Sequence, residues 1–565
     1  MVDEVLLDAG VVTRCRRRVH LDNDPTMAGT PLAPPDPSAE QRIADAEAHR
    51  ADIAERLQAA IAPVGDDEDP VTGLGPAEDS SAATWTVIPA ELSPAERAGL
   101  TLTALEEGVG YIWGGLLPRD REAGRRGGIQ LLVRSVDGYV PVLVVRHRIT
   151  DPGEGARTTE LTDLDPANAS TDPDRKVRSH PRDQLRLAHT YRLLQAAGFA
   201  EPDRAVGGVI GLDADVVLWH DLEAGTWPGG RTALQEYDSR FADRLAVARA
   251  AAAGEEPLAE PSRVLECKGC PWWPTCEAEL TRVRDVSLVV RGEDAMELRR
   301  AGIATVDKLA ALDIHDEPPI QWTGVSFSDA VSLAKAWLAD LTMVRRVPDV
   351  TVPRGDVEVD IDMESFGDSG AYLWGCLLTG ADVGVARGYH AFATWEPLPT
   401  DDEARSFAAF WAWLTDVRER TAAAGLQFRA YCYNALAENR WLYASAERFS
   451  GFRGVPTTAD VRAFVDSDEW VDLFRSVSDQ FLCSHGKGLK VVAPVAGFAW
   501  RDAEAGGEAS MRWYRDAVGM DDAEPDVAQR ARLLQYNEDD VLATHALRVW
   551  ISERAMTEVP FMEDL

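Results

Sequence analysis

At 565 residues the chain exceeds what one hydrophobic core usually organises, so two or three domains are expected, and its 45% hydrophobic fraction is ample for globular folding. No apolar run approaches the length of a membrane span, and the start MVDEVLLDAGVV lacks the basic region and cleavage site of a signal peptide, so a cytoplasmic protein without a membrane partner is expected. A formal charge of -36 excludes indiscriminate wrapping of nucleic acid, because an acidic surface repels phosphates at long range; any such contact has to be local.

In chain order, Cys15 comes first, in TRCRRRVHLD, within the basic cluster Arg14 to Arg18. A helix is expected from about Ala39 to Ile61, then an acidic Pro/Gly-rich stretch, APVGDDEDPVTGLGPAEDSSA, read as a mobile surface loop or insertion. A second basic cluster, RDREAGRR, precedes Gly127. GIQLLVRS and GYVPVLVVRHR read as a β-hairpin turning at Asp137-Gly138, ITDPGEGARTTELTDLDPANASTDPDRK as a second loop, and DQLRLAHTYRLLQAAG as a helix ended by Gly198. Cys267, Cys270 and Cys276 follow in LECKGCPWWPTCEAEL. With Cys15 they supply four soft thiolates, a donor set for zinc or an iron–sulfur cluster that would tie the start of a domain to its end. Cys376, Cys432 and Cys483 lie in apolar contexts and read as core thiols.

One upstream cysteine and a CxxC-plus-one cluster resemble the iron–sulfur nucleases of the RecB and AddB type, including the CRISPR-adaptation nucleases. The resemblance implies a 4Fe-4S cluster on Cys15, Cys267, Cys270 and Cys276 and a PD-(D/E)XK fold whose active site lies on the hairpin and the helix behind it. That family places an aspartate in the first strand and an acid-x-lysine in the second; the matching positions here are Gln130, Leu143 and Val145. Two carboxylates are needed to hold a cation and a lysine to stabilise charge, which an amide and two aliphatic side chains cannot do. Arg146 follows directly, but adjacent strand residues point to opposite faces, so it does not replace Val145. His20 and the helix from Gln184 to Tyr191 still fit the pattern. The implied N-terminal lobe keeps the fold, binds nucleic acid and does not cut.

From Val286 to Asp313, SLVVRGEDAMELRRAGIATVDKLAALD gives two short amphipathic helices around Gly302, read either as a helix-hairpin-helix offering N–H groups to a phosphate or as a helical spacer. In DVEVDIDMES, Val357, Val359, Ile361 and Met363 alternate with Glu358, Asp360, Asp362 and Glu364, so one strand turns an apolar face to a core and four carboxylates the other way. Such a row repels itself unless cations are bound. Two further strands, a helix from about Asp401 to Ala424 and the strand FRAYCYN lead to Asn434-Ala-Leu-Ala-Glu438 at a helix start. RARLLQYNEDDVLATHALRVWISER is a helix on which Tyr536 and Asp540 share a face.

That order of motifs resembles the DEDDy branch of the RNase H-like 3′–5′ exonucleases. The resemblance implies a first motif of Asp362 and Glu364, or of Asp360 and Asp362 in an alternative register; a second motif at Glu438, where an aspartate is usual; and a third at Tyr536 and Asp540. Asp362, Glu364 and Asp540 would hold magnesium or manganese, since hard carboxylates select hard cations, with Glu438 assisting and Tyr536 orienting water. Over nearly its whole length the chain resembles a bacterial RecB-like nuclease family that fuses both halves, in which GLKVVAPVAGFAWRD and GGEASMRWYRDAVG are loop segments. The expected architecture is an α/β multidomain protein. Residues 1–280 form the iron–sulfur PD-(D/E)XK-like lobe, 281–345 the helical connector, and 346–556 an RNase H-like exonuclease domain with a mixed central sheet. The expected activity is metal-dependent phosphodiester hydrolysis with DNA favoured over RNA; the alternative is a non-catalytic nucleic-acid-binding scaffold in a repair or recombination complex.

Overall fold

The computed structural model describes residues 4–36, 39–61, 84–213, 215–324, 326–504, 506–520 and 523–565. The acidic stretch expected to be a loop, 62–82, lies outside the described residues. The chain divides into two compact units, Met1–Ala278 and Glu279–Leu565, so the segment expected as a separate connector is grouped with the second. No described helix is long and apolar enough to cross a membrane.

The first unit is organised by an eight-stranded mixed sheet. In chain order its strands are β1 (Trp85–Val87), β2 (Tyr111–Trp113), β3 (Leu131–Arg134), β4 (Tyr139–Val144), β5 (Arg157–Glu160), β6 (Ser170–Thr171), β7 (Val206–Ile210) and β8 (Val216–Asp221), arranged β1-β2-β3-β4-β7-β8-β5-β6. The expected hairpin is present, with β3 antiparallel to β4 and Arg134 opposite Tyr139. On β4 Tyr139 and Leu143, with Val145 beyond the strand end, enter one core, and Val140, Val142 and Val144 enter the other. This period-two split arises because both sheet faces are covered. Ile53 and Leu57 of helix α1 (Ala39–Ile61) cap one face; α2 (Pro181–Ala197), ended by left-handed Gly198, and α3 (Ala233–Ala253) cover the other. The second expected loop is instead partly sheet. Its Arg157–Glu160 pairs with β8, and buried Thr159 accepts a 3.0 Å bond from Trp219 Nε1, so polar composition concealed a strand.

In the second unit, β9 (Val357–Phe366), β10 (Gly370–Gly380), β11 (Gly388–Ala393), β12 (Phe428–Cys432) and β13 (Trp470–Asp472) form a five-stranded sheet in the order β11-β10-β9-β12-β13. The first three are antiparallel, and β12 and β13 run parallel to β9. Val357, Val359, Ile361 and Met363 pack against Phe407, Phe410 and Leu414 of α4 (Asp402–Ala423) and Trp441 of α5 (Leu436–Arg448). The opposite face meets α6 (Val527–Glu553), whose 27 residues run past the whole carboxylate row. Cys376, Cys432 and Cys483 are buried, as expected of core thiols.

The carboxylate row is divided in two. Arg548 of α6, fully buried, donates from Nε and Nη2 to Asp360 at 2.8 Å each and from Nη1 to Glu358 at 2.6 Å. Tyr431 and Arg354 complete the shell of Glu358. Two of the four acids are therefore matched by two built-in guanidinium groups, Arg548 and Arg354, rather than by a bound cation. A bidentate arginine is one of few groups able to satisfy two buried carboxylates together. Removing it strips buried Asp360 of its guanidinium partner and leaves Glu358 to Arg354 and Tyr431 alone, so Arg548→Leu is expected to cost about 3–5 kcal/mol, read as a lower denaturation midpoint of the full-length protein. An unchanged midpoint would show that the network is stability-neutral.

Candidate active site

Asp362 and Glu364 follow Asp360 on the same face of β9, beyond the reach of Arg548. Asp540 approaches from α6, and one carboxylate oxygen from each of the three lies within 4.8 Å of the others. The structure thus brings Asp362 and Glu364, not Asp360, together with Asp540. Strand alternation supplies the first two, and the helix passing over the sheet supplies the third.

The positions of these carboxylates are fixed by neighbours that sequence reading did not single out. Asn537 Nδ2 donates to Asp362 Oδ2 at 2.8 Å, and Tyr389 holds Asn537 from behind with a 2.7 Å bond to its Oδ1. The contact needs Gly375, paired opposite Asp362 on β10, because a Cβ there would fall 1.6 Å from Asn537 Oδ1. Trp500 Nε1 donates to Asp540 Oδ1 at 2.6 Å, and Ser510 Oγ donates to Glu364 Oε2 at 3.0 Å. Asn537 was legible as the neighbour of Tyr536. Gly375 and Ser510 carry no motif, and only the fold brings them to the site.

Glu438, in the first turn of α5, is buried with Oε2 lacking a hydrogen-bond partner among the described residues. It lies near enough to raise the proton affinity of Asp362, yet it does not join the three-carboxylate group. Tyr536 is buried one turn before Asp540. Lys490 Nζ donates to its hydroxyl at 3.2 Å and lies 4.7 Å from its ring centroid and 5.7 Å from that of Trp500. Lys490 belongs to the GLKVVAPVAGFAW segment and brings a positive charge beside the carboxylates.

This charge does not balance the site. Burial, and then the neighbouring Asp540 and Glu364, raise the carboxyl of Asp362 well above the ordinary range. Burial, with Asp540 next, pushes Glu364 up to about 8, and burial does the same to Glu438. Asp540 is raised by burial as well. A compact group of carboxylates that resists ionisation is chemically suited to a divalent cation, which supplies the missing positive charge and accepts hard oxygen ligands.

The four cysteines of the first unit line one pocket together with Arg17, Arg18, Glu266 and Trp273. Glu266 links the two segments, accepting from the Cys15 N–H at 2.5 Å and from Arg18 Nη1 at 3.0 Å. No three of the sulfurs draw within 4.8 Å of one another. At the hairpin, Leu143 and Val145 are buried in the apolar core and Gln130 Oε1 is buried with no hydrogen-bond partner among the described residues. The region holds no carboxylate pair at those positions. A groove of about 590 Å³ lined by Arg97, Arg119, Arg121 and Arg126, with Asp8 also in its wall, lies elsewhere on this unit; Arg121 pairs with Glu4 at 2.8 Å, and among the described residues no carboxylate pairs with Arg119 or Arg126.

No curated protein and no solved structure matches the chain. Residues 384–552 match the family model of the RNase H superfamily, a span that starts after Asp362 and Glu364 and takes in Glu438, Tyr536 and Asp540. That match supports an RNase H-like domain in the second unit.

Proposed function

We propose that the protein is a metal-dependent nuclease whose second unit hydrolyses phosphodiester bonds of nucleic acid, DNA before RNA, as a 3′–5′ exonuclease. The observation that carries this reading is the meeting of Asp362 and Glu364, just upstream of the segment that matches the RNase H superfamily, with Asp540 inside it. Divalent magnesium or manganese held there would supply an activated water and charge for the leaving oxygen. Asp362, Glu364 and Asp540 are the residues to hold it. Asn537 and Trp500 keep two of those carboxylates oriented, and Glu438 adds a further carboxylate at the edge of the site. Tyr536, fixed by Lys490, positions the attacking water through its hydroxyl, with no proton lost from a phenol whose ionisation burial opposes.

On this reading the first unit is a degenerate PD-(D/E)XK-like lobe that binds nucleic acid. The four-arginine groove supports local phosphate contact on a chain of formal charge -36. The four cysteines lining one pocket support a shared metal group. Their sulfurs are spread more widely than the shell of one zinc ion, with Zn–S bonds of about 2.3 Å, would require. A 4Fe-4S cluster, whose thiolates bind separate irons, suits that spread better.

The decisive experiment is manganese-dependent cleavage of end-labelled single- and double-stranded DNA and RNA. Asp362→Asn and Asp540→Asn are each expected to lower the rate at least about a hundredfold, and Tyr536→Phe to slow turnover without weakening metal binding. Nucleic-acid binding with no cleavage by the wild type under any metal would identify a scaffold instead.

A pH dependence follows from the same carboxylates. In metal-free protein, folded Glu364 and Glu438 keep their protons up to about pH 8, whereas the unfolded chain releases them near the ordinary value of 4.5. The folded state therefore binds more protons between those limits, and their contribution to stability falls as pH rises from 4.5 to 8. Manganese should raise the unfolding temperature more at pH 8 than at pH 5.5; equal increments would disconnect metal binding from these groups.

For the cysteines, protein purified without oxygen is expected to be brown, with iron matched by sulfide, and Cys15→Ser to lower both iron content and unfolding temperature. Stoichiometric zinc without iron would replace the cluster assignment.

A further inference from the structure

Just beyond the end of β4, the first unit gathers His147, His180 and Asp183. One donor atom from each lies within 4.8 Å of the others. His147 comes from the strand end, His180 is the residue capping α2, and Asp183 lies in the first turn of that helix. We propose that these three residues form a separate binding site for a borderline divalent transition cation of the zinc class.

The hydrogen bonding around the two rings is that of metal-ligating imidazoles. The Arg148 carbonyl lies 3.2 Å from His147 Nδ1 and 3.1 Å from His180 Nε2, so each ring can donate one N–H to the same acceptor. That leaves His147 Nε2 and His180 Nδ1 as lone-pair donors. Metal-bound histidines are oriented in this way, by a carbonyl or carboxylate on the nitrogen that does not ligate. The rings are close neighbours, with centroids 3.9 Å apart and planes tilted by 35°.

Asp183 completes the set. The residue is 4% exposed, and among the described residues its side chain has one hydrogen-bond partner, His147 Nε2 at 3.1 Å, while Arg186 and His220 lie within electrostatic reach without bonding it. An ionised carboxylate offers about four acceptor positions, so burial with a single partner leaves capacity for a cation. Without a metal, His147 faces acceptors with both ring nitrogens and must carry a proton on each to satisfy them. With a metal, one neutral tautomer of His147 satisfies both, because Nε2 and Asp183 then bind the same ion. Arg178, the cation acting on His147, is drawn off by Asp151 at 3.7 Å.

Two imidazoles and one carboxylate suit zinc, cobalt or iron better than magnesium, and three protein donors leave positions open to water. The site is offset from Leu143 and Val145, so it is no relocated carboxylate pair. It would pin the start of α2 to the end of β4, in the unit whose expected hairpin chemistry is absent. No residue of the second unit takes part in this site, which is independent of any nuclease activity there.

The test is titration of full-length protein with zinc and with cobalt, magnesium being kept in excess so that hard carboxylate sites are filled. Wild type should bind zinc at this site and give cobalt d–d bands that are separable from the thiolate charge-transfer bands of a cysteine site. His147→Ala and His180→Gln should each weaken that binding at least about tenfold and remove the d–d bands, with the metal-free far-UV spectrum unchanged. Asp540→Asn and Cys267→Ser should leave those bands in place. Because both histidines are partly exposed, their replacement tests the site even where Asp183→Asn fails to fold. Zinc affinity and cobalt bands equal in wild type and both histidine variants, or absent from all three, would overturn the proposal.

Discussion

The second unit depends on how one strand carries four carboxylates. Glu358, Asp360, Asp362 and Glu364 share a face of β9, and burial of such a row would be prohibitive without positive charge. Arg548 meets the demand at one end with three charge-assisted bonds to Glu358 and Asp360. Among the described residues no guanidinium reaches the other end, where Asp540 adds a further negative group and Lys490 contacts Tyr536 rather than a carboxylate. The same helix therefore anchors the fold at Arg548 and concentrates negative charge at Asp540, two turns earlier. Structural and chemical roles are separated along one strand by the reach of a single guanidinium.

Alternation of apolar and acidic residues made β9 legible in the sequence, since a period of two has one physical interpretation at that length. It did not reveal which acids act together, because all four look alike until the partner helix is placed. The spacing of Tyr536 and Asp540 gave a shared helix face, and the fold sets that face above Asp362 and Glu364. Gly375 was illegible for a different reason: its role is to be absent, leaving room for Asn537 to cross to Asp362. In the first unit the hairpin and α2 follow from turn chemistry and a glycine cap. The strand Arg157–Glu160 does not, because its threonines are buried by cross-sheet bonds that polar composition cannot announce.

The hairpin of the first unit is committed to packing at the positions where the proposed PD-(D/E)XK-like reading would seek polar groups. Leu143 and Val145 do more than lack the needed groups; they are packed into the main core of the unit, which their replacement by an acid and a lysine would penetrate. Gln130 is the polar member of the three positions, with its carbonyl oxygen buried and no hydrogen-bond partner among the described residues. Burial of aliphatic residues at these positions stabilises the sheet and removes any place for a cation. Polar chemistry in this unit is displaced outward, to the strand end at His147 and to the arginine groove.

Three donor sets in the chain then differ in kind: four thiolates, two imidazoles with one carboxylate, and three carboxylates. Ligand softness is the main means by which sites within one protein avoid taking the same metal, because raw affinity alone would fill all of them with the strongest binder. A thiolate set discriminates against magnesium, and an all-carboxylate set gains little from zinc that manganese does not also supply. The intermediate set is the one most exposed to competition, and its defence is geometric. The Arg148 carbonyl fixes both imidazoles and burial holds Asp183, so a cation must accept that arrangement rather than recruit ligands of its own choosing. Occupation of each proposed site would thereby be tied to a different chemical property of the ion, which would let a structural metal and a catalytic one coexist in a single chain.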